Sequence, residues 1–120
     1  MGGQILDAAT KVHRALGPGM LESVYERCLA RELHKAGIAF DRQFPLSVVY
    51  DGEVIDGAFK IDLLVGGLVI VEIKSLEHLL EVHRRQLLSY MKLGGYRLGY
   101  LINFNVPLLK EGVCRMVNGL

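Results

Sequence analysis

Three charged residues in an otherwise apolar stretch are placed to do chemistry: Asp62, Glu72 and Lys74 in FKIDLLVGGLVIVEIKS, residues 59–75. The apolar runs on either side of Gly66-Gly67 are short, rich in β-branched residues and bounded by turn signals, which predicts two antiparallel strands joined by a tight loop. Burying an unpaired carboxylate or ammonium costs roughly several kcal/mol, so such strands keep charges only when these are paired, bound to metal or open to a cleft. Side chains alternate faces along a strand, so Glu72 and Lys74 share one face. Asp62 joins them only under a condition. A strict two-residue Gly66-Gly67 turn would set Asp62 opposite Val71 on the other face, whereas an odd loop over residues 66–68, or one bulge residue, brings it to Glu72. The sequence predicts that irregularity.

These residue types suit phosphodiester hydrolysis. Mg²⁺ is a hard cation that takes oxygen ligands, and it usually binds through one or two carboxylates, waters and substrate phosphate oxygens. Asp62 and Glu72 supply the carboxylates, and the backbone carbonyl of Ile73 is a candidate further ligand. Lys74 can orient the attacking water and stabilise charge that develops on the phosphate. Two like charges about 4 Å apart repel by roughly 4 kcal/mol at an effective dielectric near 20, so clustered carboxylates facing one lysine imply a cation or raised pKa values. No Ser or Cys has a His and an acid at a spacing that suggests covalent catalysis.

The elements that must position these groups follow from periodicity. Ile5, Ala8, Ala9, Val12 and Leu16 recur at helical spacing, and Gly17-Pro18-Gly19 stops that helix. Leu21, Val24, Tyr25, Cys28, Leu29, Leu33 and Ala36 mark a second, closed by Gly37. Glu22 sits at the edge of that stripe, and reads either as an ordinary exposed glutamate or as a group looking into a cleft. Residues 44–50 predict a strand that Pro45 confines to an edge or to its own start, and Asp51-Gly52 turns it into another strand from Glu53. A helix over residues 77–93 carries His83, Gln86 and Tyr90 one turn apart along one edge, followed by Gly94-Gly95. Residues 97–104 predict a buried strand, and Val113 to Val117 a short last one. On the helix, the structural alternative makes Tyr90 a core residue, Gln86 a surface amide and His83 a satisfied histidine.

Length and composition bound the function. One domain over residues 1–120 is large enough for a single core. The chain is 51% hydrophobic with a mean hydropathy of +0.29. No apolar run approaches the roughly 18 residues needed to cross a bilayer, and Asp7, Lys11, His13 and Arg14 exclude a signal peptide, so no membrane partner is expected. Surplus apolar surface, with Leu46, Val48 and Tyr50 on an edge strand, predicts a homodimer or higher oligomer. Cys28 and Cys114 lack metal-type spacing and read as reduced thiols in a cytoplasmic protein. A net charge of +1 argues against a large surface that tracks phosphates.

Several motifs carry a family resemblance. An Asp on one strand followed by Glu-x-Lys on the next resembles the signature of the PD-(D/E)xK nuclease superfamily. Within it, Gly19-Met-Leu-Glu22-Ser-Val-Tyr25 is similar to the G-x-x-E-x-x-Y motif of the GxxExxY family, as are VHRALGPG, DLLV, VEIK and YLINFNVPLLKEG in order and spacing. The likeness spans nearly the whole chain. It implies an α/β fold with a restriction-endonuclease-like αβββαβ core, a mixed central sheet flanked by helices. It also implies Glu22, Asp62, Glu72 and Lys74 as catalytic residues, with Glu22, Asp62, Glu72 and Ile73 around Mg²⁺ or Mn²⁺. Gln86-Leu-Leu-Ser-Tyr90 resembles the Q-x-x-x-Y element of RecB-type members, which implies Gln86 and Tyr90, with His83 beside them, as substrate-binding residues. The implied activity is a small metal-dependent nuclease acting on nucleic acid, DNA before RNA. The alternative is a nuclease fold serving as a binding or regulatory subunit without turnover in isolation.

Overall fold

The computed structural model describes residues 1–119. In chain order the elements are α1 (Gly2–Leu16), α2 (Glu22–Lys35), β1 (Phe40–Tyr50), β2 (Glu53–Val65), β3 (Val69–Lys74), α3 (Glu81–Gly94), β4 (Leu98–Asn103) and β5 (Val113–Val117), with a short 3₁₀ turn at Leu109–Gly112 before the last strand. The strands form one sheet in the order β1-β2-β3-β4-β5. Every neighbouring pair is antiparallel except β3 and β4. Parallel strands need a crossover, and α3 supplies it. This is the expected α/β architecture, a mixed sheet flanked by helices.

Two apolar clusters flank the sheet. Ile5, Ala9 and Val12 of α1 and Tyr25, Leu29 and Leu33 of α2 pack with Leu63, Val71 and Ile102 on one side. Leu87, Tyr90 and Met91 of α3 pack with Leu64, Ile70 and Leu101 on the other. Spacings of three and four residues give each buried stripe, i, i+4, i+7 on α1, i, i+4, i+8 on α2 and i, i+3, i+4 on α3, and full burial of a Leu or Ile stabilises by about 1.5–3 kcal/mol. Running between them, β3 has no solvent-facing side, which is why VIVEIK reads as nearly continuous apolar sequence.

Two boundaries differ from the sequence expectation. The first strand begins at Phe40, four residues before the predicted start, because Phe40, Asp41 and Arg42 pair with Val65, Leu64 and Leu63. The polar Asp41 and Arg42 suit an edge position, and Pro45 lies, as expected, on the edge strand of the sheet. The third helix begins at Glu81 and not near Glu77. Its N-cap is Leu80, which has no side-chain acceptor, and the Leu80 N–H donates to Nδ1 of His83 at 2.9 Å. Nδ1 of His83 is thus occupied at the helix start.

Candidate metal centre at the fork of two strands

The position of Asp62 is decided at the β2–β3 loop. Val65 pairs with Val69, Leu64 with Ile70 and Leu63 with Val71, so the loop is the odd one, residues 66–68, and Asp62 comes next across from Glu72. Gly66 and Gly67 hold φ of 60° and 69°, and Leu68 donates to the Val65 carbonyl at 3.0 Å. A side chain at either glycine would carry left-handed strain of roughly 1–2 kcal/mol.

Beyond Leu63 and Val71 the ladder gives way to side chains. The Asp62 N–H donates to Oε2 of Glu72 at 3.0 Å, and the Ile73 N–H donates to Oδ2 of Asp62 at 2.8 Å. Each carboxylate therefore takes an N–H of the opposite strand where a carbonyl would otherwise sit. Ile61 and Leu64, three residues apart, pack in the same cluster, so the regular alternation breaks around Asp62. The strands fork here and both carboxylates lie in the fork. The Ile73 carbonyl shares the strand edge of the N–H that meets Asp62.

Electrostatics single out Glu72. Its side chain is 4% exposed, and its pKa is pushed up to about 9, first by burial and then by the negative charge of Asp62. Lys74, half-buried, lowers it less than those two raise it, and makes no ion pair among the described residues. At neutral pH Glu72 thus keeps its proton. Tyr90 closes the α3 side. Its ring meets that of Phe59 at 5.2 Å, and its pKa is raised by burial and then by the charges of Glu72 and Asp62.

On the α2 side the fork is braced by residues that the sequence reading did not single out. Glu26 is buried and accepts from Arg42 Nη2 at 2.9 Å and Nε at 3.2 Å, and from Gln43 Nε2 at 2.6 Å. The same Gln43 Nε2 donates to Oδ1 of Asp62 at 3.2 Å. Gln43 stands at φ 50°, a conformation that costs a non-glycine residue about 1 kcal/mol or more. The Arg42–Glu26–Gln43 chain fixes Oδ1 of Asp62 while Ile73 fixes Oδ2. One signal could have found Glu26: with Leu29, Ala30 and Leu33 it keeps the i, i+3, i+4, i+7 spacing of the buried stripe.

Glu22 and Gln86 make no hydrogen bond to the pair. Glu22, in the first turn of α2, is exposed and forms no hydrogen bond or ion pair among the described residues; Glu26, one turn on, connects to Asp62 through Gln43. Gln86 is exposed and unpartnered among the described residues. No group of three His, Cys, Asp or Glu placed to hold a metal ion occurs among the described residues. Asp62 and Glu72 form a two-carboxylate set, to which the Ile73 carbonyl could add. That set fits a hard cation that completes its shell with water and phosphate oxygens.

Several motif residues hold loops in place. Tyr25 accepts from the Met20 N–H at 3.0 Å, donates to the Gly17 carbonyl at 2.6 Å, and stacks on Phe104 at 4.5 Å. His13 Nε2 contacts the Val106 carbonyl at 2.8 Å. Ser75 Oγ donates to the Met20 carbonyl at 2.7 Å, and buried Asn103 accepts the Leu76 N–H and donates to its carbonyl. Those bonds tie the α1–α2 loop and the segment after Lys74 to the rim of the fork. A cavity of about 580 Å³ lined by Met1, Leu68 and Tyr96 lies away from the carboxylates.

No curated protein and no solved structure matches the chain. No described helix is long and apolar enough to cross a membrane. A family model described as the PD-(D/E)XK nuclease superfamily matches residues 1–116. An acid on one strand and an E-x-K on the next, meeting at a fork in a mixed sheet, are what that match covers, and the chain belongs to the PD-(D/E)XK nuclease superfamily.

Proposed function

We propose that this protein is a metal-dependent nuclease of the GxxExxY type that hydrolyses phosphodiester bonds, with Mg²⁺ as the working ion, Mn²⁺ able to replace it, and DNA preferred over RNA. One observation carries the reading: Asp62 and Glu72 meet side by side, with Glu72 buried enough to retain a proton up to about pH 9 and Lys74 two residues on from it. A buried acid pair with too few cations is what a divalent ion corrects, and its affinity then rises with pH because the ligand must lose its proton.

Asp62 and Glu72, with the Ile73 carbonyl, would hold the ion. When bound, it supplies positive charge to the scissile phosphate and makes an attacking water more acidic. Lys74 orients that water by hydrogen bonding and neutralises charge that develops on the phosphate oxygens. The Glu26–Gln43 chain keeps Asp62 in one rotamer, so that no reorganisation is needed at the moment of reaction. Tyr90 and Phe59 wall the fork on the α3 side, and Gln86, one turn before Tyr90, is placed to meet the nucleic acid backbone. Glu22, in the first turn of α2, is left to act through water.

The experiment is a cleavage panel of single-stranded, double-stranded, branched and RNA substrates with Mg²⁺ or Mn²⁺, run beside Lys74→Ala. Metal-dependent cleavage lost in Lys74→Ala supports the reading. A wild-type protein that binds Mn²⁺ through Asp62 but cleaves none of the panel instead favours the second reading, a nuclease fold used as a binding or regulatory subunit. That reading is supported by the lack of any ion pair between Lys74 and the two carboxylates. For Glu22→Gln the expected fall in rate is less than about threefold, the scale of an ordinary surface substitution; a larger fall returns Glu22 to the metal shell.

A further inference from the structure

Past Leu46 and Phe59, the β1–β2 pair leaves the body of the protein as a bare ribbon. Its register shifts between Leu46 and Val48, then resumes with Val48 opposite Ile55, Val49 opposite Val54 and Tyr50 opposite Glu53. All of β2 from residue 53 to 60 is exposed. A two-stranded ribbon on its own is marginal in water, and solvent-facing strands normally carry polar side chains. This one shows Val49, Tyr50, Val54 and Ile55 to solvent at 67, 73, 58 and 45% exposure. Between residues 46 and 59 it has three acids, Asp51, Glu53 and Asp56, and no Lys, Arg or His. These acids repel phosphates, so the ribbon is ill suited to a nucleic acid contact.

The complement lies on the same molecule. Between α1 and α2 opens a groove of about 410 Å³ with Val12, Leu16 and Cys28 inside it and Lys11, Arg27 and Arg31 around it. None of these three cations is in an ion pair among the described residues, and the one acid at the groove, Glu32, is matched by Lys35 at 3.1 Å. An apolar groove with a basic rim faces an apolar ribbon with acidic flanks. We propose that the ribbon tip of one copy docks into the α1–α2 groove of a second copy of this chain. The contact is between two different surfaces, and made twice about a two-fold axis it closes into a dimer; made once per copy without closure it would grow a chain. Val49 and Val54 share one face of the ribbon and Tyr50 and Ile55 the other, so insertion of the tip between the two helices buries both faces, and the charges supply the pairing and its register.

Sedimentation velocity on the full chain tests this with two charge-reversed proteins. One carries Glu53→Lys with Asp56→Lys on the ribbon, the other Lys11→Glu with Arg31→Glu at the groove. Wild type is expected to associate at micromolar concentration, and each reversed protein alone to associate at least about tenfold more weakly, since like charges then meet. Mixed one to one, the two reversed proteins recover the wild-type affinity, because both contacts in the mixed dimer are again complementary. Circular dichroism checks that each is folded; should the ribbon pair fail to fold, Glu53→Lys alone against Arg31→Glu gives the same design. A wild type that stays monomeric, reversed proteins that associate as wild type does, or a mixture that fails to recover each overturns the proposal. Mg²⁺-dependent cleavage is not a readout here, so the result is independent of the nuclease reading.

Discussion

The two halves of β2 break the same rule in opposite directions. Its last residues, 61–65, are buried except for the partly covered Asp62, and that stretch carries a carboxylate. Residues 53–60 are exposed throughout and carry Val54 and Ile55. In the first case charge sits where apolar groups belong, braced by Gln43 and the Ile73 N–H; in the second, apolar groups sit where charge belongs, with no brace. A buried charge is costly unless it is compensated, while an exposed valine costs little by itself. The difference teaches that the two proposed roles ask for different things of one strand: an ion at the fork calls for charge, a partner on the ribbon for apolar area.

The strongest way to break that contrast is to remove the charge. Asp62→Ala or Glu72→Ala is expected to lower metal-dependent cleavage on the order of 10³-fold, measured in single turnover. The same variants should lose the rise in Tm that Mn²⁺ gives the wild type, since a ligand stabilises only the state that binds it.

The next effect is one of pH. Glu72 has its folded pKa raised from 4.5 to about 9, so between those values the unfolded chain binds fewer protons than the folded one. Stability of the metal-free protein is therefore fully present below pH 4.5 and falls as pH rises toward 9. Glu72→Gln, which cannot ionise, should match wild type near pH 5 and melt several degrees higher near pH 9, at about 4 °C per kcal/mol for a chain of this size. A Tm difference that is flat with pH would show that Glu72 does not hold its proton. Saturating Mn²⁺ should remove the wild-type decline.

A smaller change sharpens the account of bracing. Gln43→Gly relieves the strain at φ 50° while removing the amide that joins Glu26 to Asp62. Cleavage should fall roughly 10- to 100-fold with little change in Tm, because a loosened ligand costs geometry more than fold. If Gln43→Gly cleaves as wild type does, the Ile73 N–H alone positions Asp62. The smallest effect belongs to the ribbon. In dilute, monomeric protein Val54→Thr should change stability by less than about 0.5 kcal/mol by thermal denaturation, whereas Ile70→Ala, in the core, should cost about 2–5 kcal/mol.

Much of the site could be read from spacing alone. Glu72 and Lys74 share a face because the strand period is two, and the cost of burying Asp62 elsewhere demanded an odd loop, which residues 66–68 form. Pro45 on an edge strand follows from its missing N–H. These are local rules, acting over a few residues, and the sequence states them directly. What the tertiary structure decided was which groups meet across long stretches of chain. Glu22 and Glu26 lie one turn apart on α2, and only the angle at which that helix crosses the sheet turns Glu26 toward Arg42 and Gln43, 16 and 17 residues away. Gln43 gave no sign of its role, because a polar residue with positive φ looks like a loop until the strand opposite is placed. Periodicity fixes the direction of a side chain relative to its own element; its partners depend on how elements pack, and that is a property of the whole chain.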